Sequence, residues 1–187
     1  SFSVPPPTQP SPTSGNLGGI VGQNSGAGAR ITSCYNTGDL CNNFPSSSFD
    51  GNLGGVVGSN IDNSSVTNCY NTGAVNSSGY WVGGVVGVNG GSVTNSYNTS
   101  SVKGNWYVGG VVGYNSSASV ANCYYQTGKG AAVGIGGTTG DNSSQTAAKS
   151  LEDFHSGEVA YLLQSKQTAG SSQVWGQAIG EDDFPVL

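Results

Sequence analysis

Four stretches of the sequence hold glycines closely enough to raise the question of phosphate chemistry. They are "NLGGIVGQN" (16–24), "NLGGVVGSN" (52–60), "YWVGGVVGVN" (80–89) and "WYVGGVVGYN" (106–115). A Walker-type loop cradles phosphate oxygens with backbone N–H groups and needs a Lys followed by Ser or Thr after the glycines, and no copy has that pair. The dinucleotide fingerprint G-x-G-x-x-G needs a strand before it and a helix after it. Here the spacing is wrong and no helical pattern follows, and "GAGARI" (26–31) and "GIGGTTG" (134–140) fail on the same context. The paired glycines Gly18, Gly19, Gly54, Gly55, Gly83, Gly84, Gly109 and Gly110 therefore read as structural.

Other residue types that could do chemistry are few. Asp153, His155 and Ser156 supply the ingredients of a nucleophile, a base and an orienting acid, but neighbours on one short helix cannot adopt the relay geometry. His155, the single histidine, reads as a helix-end residue favoured by the helix dipole. Paired-carboxylate hydrolysis needs two acids across a cleft, and the glycine-rich copies carry almost no acids. "GEDDF" at 180–184 clusters three carboxylates, yet neither an EF-hand loop nor a G-G-x-G-x-D repeat is present, so it reads as a solvated acidic turn. No catalytic residue, metal or cofactor is expected, and the chain is not expected to be an enzyme.

The cysteines and aromatics are more informative. Cys34, Cys69 and Cys123 occupy one repeated position, where another copy has Ser96, so the site asks for a small side chain. Cys41 lies outside this series, and the four thiols leave three full disulfide connectivities open. Tyr35, Tyr70, Tyr97 and Tyr124 form a second series, read as a stacked structural row. Tyr80, Trp81, Trp106 and Tyr107 break the repetition, because the first two copies have Gly-Asn there. Four large rings at a turn could stack on sugar rings or anchor a partner protein.

These residues must be held by something, and the spacing says what. The Gly-Gly pairs recur at steps of 36, 29 and 26 residues. Each is followed by a second block: "ITSCYNTG" (31–38), "VTNCYNTG" (66–73), "VTNSYNTS" (93–100) and "VANCYYQTG" (120–128). Three copies add a third, Asp39-Leu40, Ala74-Val75 and Ser101-Val102. The blocks are short, β-branched and bounded by Gly, Asn and Ser, which marks strands. Three short strands cannot bury a core alone, but stacked copies can. The fold expected is all-β, a parallel β-solenoid of about four coils, ~20 Å long at one strand spacing per coil. A β-sandwich has no reason to reuse the same residue at the same place. Glycines at the corners are expected to supply positive φ, with Asn also tolerating the left-handed region. Strict alternation would put Val82 and Val86 on one face and Val85 on the other, leaving one valine row outside the core.

Composition agrees with an ordered, weakly charged chain. Of 187 residues only 8% are charged, with net charge −5, so solubility must come from Asn, Ser, Thr and Gly. The cations Arg30, Lys103, Lys129, Lys149 and Lys166 are scattered, which argues against nucleic acid as a partner. No apolar run is long enough for a membrane span, so membrane insertion of this segment is not expected. With no Met start and no signal-like segment, the sequence reads as a processed chain or a fragment. Residues 1–14 form a Pro/Ser/Thr-rich linker or arm, 15–146 the repeats, and 147–187 a cap. In the cap, Ser150 and Asp153 make a capping-box pattern. Helices are expected over 150–166, broken at Gly157, with a terminal strand over 174–187, the whole covering an open solenoid end.

"VGGVVGYN" followed by V-x-N-x-Y-x-T-G resembles the GLUG motif, a repeat of bacterial surface proteins, some adhesins and immunoglobulin A peptidases. The resemblance covers 15 to about 128, and the tail, "SGEVAYLLQ" with "VWGQAIGEDDFPVL", is similar to a segment that follows such repeats in surface proteins of gut bacteria. It implies a non-enzymatic module, secreted or at the cell surface, acting in adhesion or as a rigid scaffold. Its partner would be a glycan or protein of a host or neighbouring cell. Two other expectations are self-association into a surface filament and an accessory role in a surface peptidase.

Overall fold

The computed structural model describes residues 15–42, 51–139, 146–167 and 172–187, and the Pro/Ser/Thr-rich arm at 1–14 lies outside them. The chain winds as a parallel β-solenoid. The first coil contains β1 (Asn16–Gly18), β2 (Val21–Ser25), β3 (Arg30–Thr32), β4 (Tyr35–Asn36) and β5 (Leu40–Asn42). The second repeats them as β6 (Asn52–Gly54), β7 (Val57–Ile61), β8 (Ser65–Thr67), β9 (Tyr70–Asn71) and β10 (Val75–Ser77). The third has β11 (Trp81–Gly83), β12 (Val86–Asn89), β13 (Ser92–Thr94), β14 (Tyr97–Asn98) and β15 (Val102–Lys103). The fourth has β16 (Val108–Gly109), β17 (Val112–Ser116), β18 (Ser119–Ala121) and β19 (Cys123–Gln126). Part of a fifth coil follows as β20 (Ile135–Thr139) and β21 (Thr146–Lys149), so the ladder runs past residue 146. Corresponding strands stack into five parallel sheets, in register: Gly18 on Gly54, Val66 on Val93, Tyr70 on Tyr97.

Each of the first three coils has five strands and the fourth has four, where three were expected. The Gly-Gly pair divides the first block into two strands, and a left-handed residue divides the second. That residue is Ser33, Asn68, Asn95 or Asn122, with φ between 48° and 55°. Asn is the side-chain-bearing residue that tolerates this conformation best. The Gly-Gly glycines, in contrast, do not have positive φ. They are required by close approach: a Cβ on Gly83 would stand 1.9 Å from the Val86 carbonyl oxygen, and one on Gly84 2.1 Å from that of Gly110. The bend also resets the alternation of the valines. Val82, Val85 and Val86 are all fully buried, so no valine row lies outside.

The second glycine of the first three pairs abuts an asparagine side chain, Gly19 meeting Asn36, Gly55 meeting Asn71 and Gly84 meeting Asn98, while in the fourth pair Gly110 meets the Tyr125 ring. The coil interior holds two apolar clusters. One collects Leu53, Val82, Val75 and Val102 from the first and last strands of each coil, and the other the remaining valines with Cys69 and Cys123.

The tail does not sit on the solenoid end. After Ser150, which caps α1 (Leu151–His155) through the expected reciprocal bonds with Asp153, the chain passes Gly157 (φ 85°) into α2 (Glu158–Ser165). Phe154, Val159, Leu163 and Trp175 then pack along the flank, over Tyr70, Tyr97 and Tyr124 of three successive coils. The outward tyrosine row gives the tail apolar rings to pack on, Trp175 against Tyr70 and Tyr97 and Phe154 against Tyr97. The expected terminal strand is only an antiparallel bridge between Gly176 and Val186.

Candidate functional site

At the outer edge of the third and fourth coils the chain gathers aromatic rings. Trp81 opens β11 and Tyr107 directly precedes β16, so the register of those strands sets their places. Tyr80 stacks on Trp106 (centroids 6.0 Å apart, planes 17° apart) and tilts against Trp81 at 6.2 Å. Trp81 lies 6.1 Å from Tyr114, which meets the edge of Tyr107 at 5.4 Å. All four residues singled out in the sequence thus come together, joined by Tyr114 from β17. Trp106 is 60% exposed, Tyr80 and Tyr107 are also exposed, and Trp81 is half-buried. Tyr107 holds a strained backbone (φ 26°) while its ring lies over Gly137 of the fifth coil.

The remaining candidates are structural. Cys69 and Cys123 are buried, and their thiols donate to backbone carbonyls of Thr67 and Ala121. Burial pushes both thiols up to about 12. Ser96 fills the same place and donates to Thr94, while its Oγ accepts from the Cys69 amide. None of the four cysteines is in a disulfide. Tyr35, Tyr70 and Tyr97 stack at 5.0 Å centroid spacing, within 6° of parallel. The Tyr97 hydroxyl is buried under the tail and donates to the Pro185 carbonyl, and burial holds its pKa well above the ordinary value. Asp153 is occupied in the helix cap, and the Ser156 hydroxyl donates to the Asp153 carbonyl instead of to His155. Asp182 accepts from the Ala178 amide, closing the acidic turn on itself. Among the described residues no cluster of three or more potential metal ligands occurs, and no helix is long and apolar enough to cross a membrane.

The GLUG motif matches residues 13–40, 50–76 and 104–124, which are the cores of the first, second and fourth coils. Three of the coils are GLUG repeats. The third coil lies between the matched segments and keeps their register with both neighbours, so it has the same build. No curated protein matches the sequence. Among solved structures, the fold is similar to the crystal structure of a "putative immunoglobulin A1 protease" from Bacteroides ovatus, at 17% identity and a TM-score of 0.53. The match covers 93% of this chain and 64% of that one, so this chain spans under two thirds of its neighbour's length.

The coils contain two polar ladders that sequence reasoning missed. Asn24, Asn60, Asn89 and Asn115 are buried one above another, each amide Nδ2 donating to the next Oδ1 at 2.7–2.8 Å. Asn36, Asn71 and Asn98 form the second, at 2.9 Å per step. The signal was available, because Asn recurs at both places in the motif blocks. Tyr114 and Val88 were also missed, although they stand where the first two coils carry Gln23 and Ser59.

Proposed function

We propose that this chain is a non-enzymatic module of a bacterial surface protein, a stiff scaffold that presents the Tyr80–Trp81–Trp106–Tyr107 face to a glycan or protein of a host or neighbouring cell. The observation that carries this reading is the aromatic face itself. The ladder repeats its inward residues coil after coil, yet places large exposed rings on two adjacent coils where the other two have Asn or small residues. Rigid aromatics with polar tips bind at low entropic cost. The ladders of buried Asn and in-register strands support a scaffold that keeps its shape, and the GLUG motif supports a surface setting. The module would act outside the cell, attached or secreted. Labelled protein is expected to bind epithelial or bacterial cells, and Tyr80→Ala with Trp106→Ala to abolish binding while the melting temperature stays within a few degrees. Unchanged binding by the double variant contradicts this role for the face.

A second reading has its own observation. In the first coil Leu17 is 41% and Ile20 43% exposed, whereas their counterparts Leu53 and Val56 are buried at 1% and 0%. Tyr35, at the first-coil end of the tyrosine row, is likewise exposed. Such an end favours stacking against another chain, and sizing at several concentrations would reveal it as growth in mass. An accessory role beside a peptidase, as the neighbour's description suggests, would be tested on the parent protein.

A further inference from the structure

Beside the aromatic face lies a groove of about 420 Å³, within the range of small-molecule sites. Trp81 and Tyr114 form its aromatic wall, Val88 and Ile61 its apolar side, and Asn52 and Asp62 contribute polar atoms. Two rows of the solenoid change character here. Along the outward row of the second sheet the residues run Gln23, Ser59, Val88, Tyr114, and along the first sheet Asn16, Asn52, Trp81. Both rows turn from polar to apolar on entering the third coil, while the inward valines and asparagines stay as they were. Stacking of coils does not require that change.

The polar atoms narrow the class of ligand. Nε1 of Trp81 and Oδ1 of Asn52 are both buried without a hydrogen-bond partner, and the two residues are in register on neighbouring coils. A buried donor and a buried acceptor left unsatisfied are each destabilising. A hydroxyl can donate to one and accept from the other with a single atom. An ammonium ion cannot accept from the indole, and a carboxylate or phosphodiester cannot donate to the amide oxygen. Among the described residues no Lys, Arg or His lines the groove, so an anion finds no counter-charge there, and the Asp62 carboxylate is already engaged by the Ser25 hydroxyl.

We propose that this groove binds a neutral pyranose unit of a glycan, its C–H face stacked on Trp81 and Tyr114 and a hydroxyl meeting Asn52 Oδ1 and Trp81 Nε1, admitted by a shift of these two closed side chains. The proposal rests on the recognition role above and adds the ligand class and its subsite. The test uses the full chain with a panel of neutral disaccharides (lactose, cellobiose, maltose, chitobiose), with sialyllactose and choline as charged controls, read by calorimetry and tryptophan fluorescence. At least one neutral sugar should bind in preference to both controls. Tyr114→Ala should weaken it by roughly tenfold. Trp81→Phe, which keeps the ring and removes the N–H, should weaken it several-fold, with circular dichroism unchanged in both. In parallel, wild-type protein is applied to cells treated with periodate or with protease. Loss of cell binding on periodate supports the glycan. Cell binding that resists periodate and disappears on protease, with no sugar bound, overturns this proposal and leaves the recognition role standing. Absence of binding to any cell or sugar overturns both.

Discussion

The inner asparagine ladder has a direction, and Asn60→Asp tests it with a change of one group. In each rung Nδ2 faces a backbone carbonyl as well as the next amide oxygen: Asn24 faces Ser65, Asn60 faces Ser92 and Asn89 faces Ser119. A carbonyl only accepts, so the nitrogen must point that way. The substitution keeps the oxygen that accepts from Asn24 Nδ2 and the Ser64 hydroxyl. It replaces the donor to Asn89 Oδ1 (2.8 Å) and to the Ser92 carbonyl (3.2 Å) by a carboxylate oxygen. Two buried bonds at about 1 kcal/mol each are lost, and a charge is buried against acceptors, for a total cost of roughly 3–5 kcal/mol at neutral pH. That is a large share of a stability of about 5–15 kcal/mol. In urea denaturation, with an m-value of about 2 kcal/mol/M, the midpoint should fall by roughly 2 M. The pH dependence carries the sharper sign. Burial and the facing oxygens raise the introduced carboxyl above its unfolded value of about 3.9, so the folded state takes up the proton first. The protonated group can then donate to Asn89. The deficit relative to wild type should therefore shrink as pH falls from 7 towards 4, the opposite of the loss expected when a stabilising carboxylate is protonated. Asn16→Asp, at a partly exposed rung that already accepts from Asn52, should cost less than about 1 kcal/mol. A deficit below 1 kcal/mol for Asn60→Asp, or one that grows on acidification, refutes the ladder as described.

Two further outcomes follow from the packing. Trp175→Ala empties the centre of the tail cluster and should destabilise the chain by about 3–5 kcal/mol, with loss of near-ultraviolet dichroism from the Tyr70 and Tyr97 rings that Trp175 contacts. Cys69 and Cys123 should resist Ellman's reagent at pH 8 in the native state and react on unfolding. Their raised pKa favours the neutral thiol in the folded chain, so its contribution is full below about 9 and lost as pH rises towards about 12. Cys69→Ser with Cys123→Ser should flatten the fall of stability over that range in denaturant titrations.

The repeat made the solenoid legible. Only stacking explains why Cys34, Cys69, Ser96 and Cys123, or the four tyrosines, recur at one place. The aromatic face was legible for the same reason, as a departure from that recurrence. What could not be read was how the elements bend. Two glycines reset the pleat, so an alternation argument across Val82, Val85 and Val86 failed. The tail's site was illegible too. The pattern of Phe154, Val159 and Leu163 says that a face must be buried, but it does not say against what. The surface it covers is the tyrosine row, which lies on the flank. Tyr114 escaped notice because it stands between a glycine and an asparagine of the motif and was read as part of the repeat.

The central claim, that the module recognises a surface through its aromatic face, is tested most directly by hydroxyl-radical footprinting of the chain bound to cells. Protection of Tyr80, Trp106 and Tyr107, with the exposed Tyr35 and Tyr161 oxidised as in the free chain, is the predicted result. Protection confined to Leu17, Ile20 and Tyr35, or an unchanged pattern on cells that retain the protein, would contradict it.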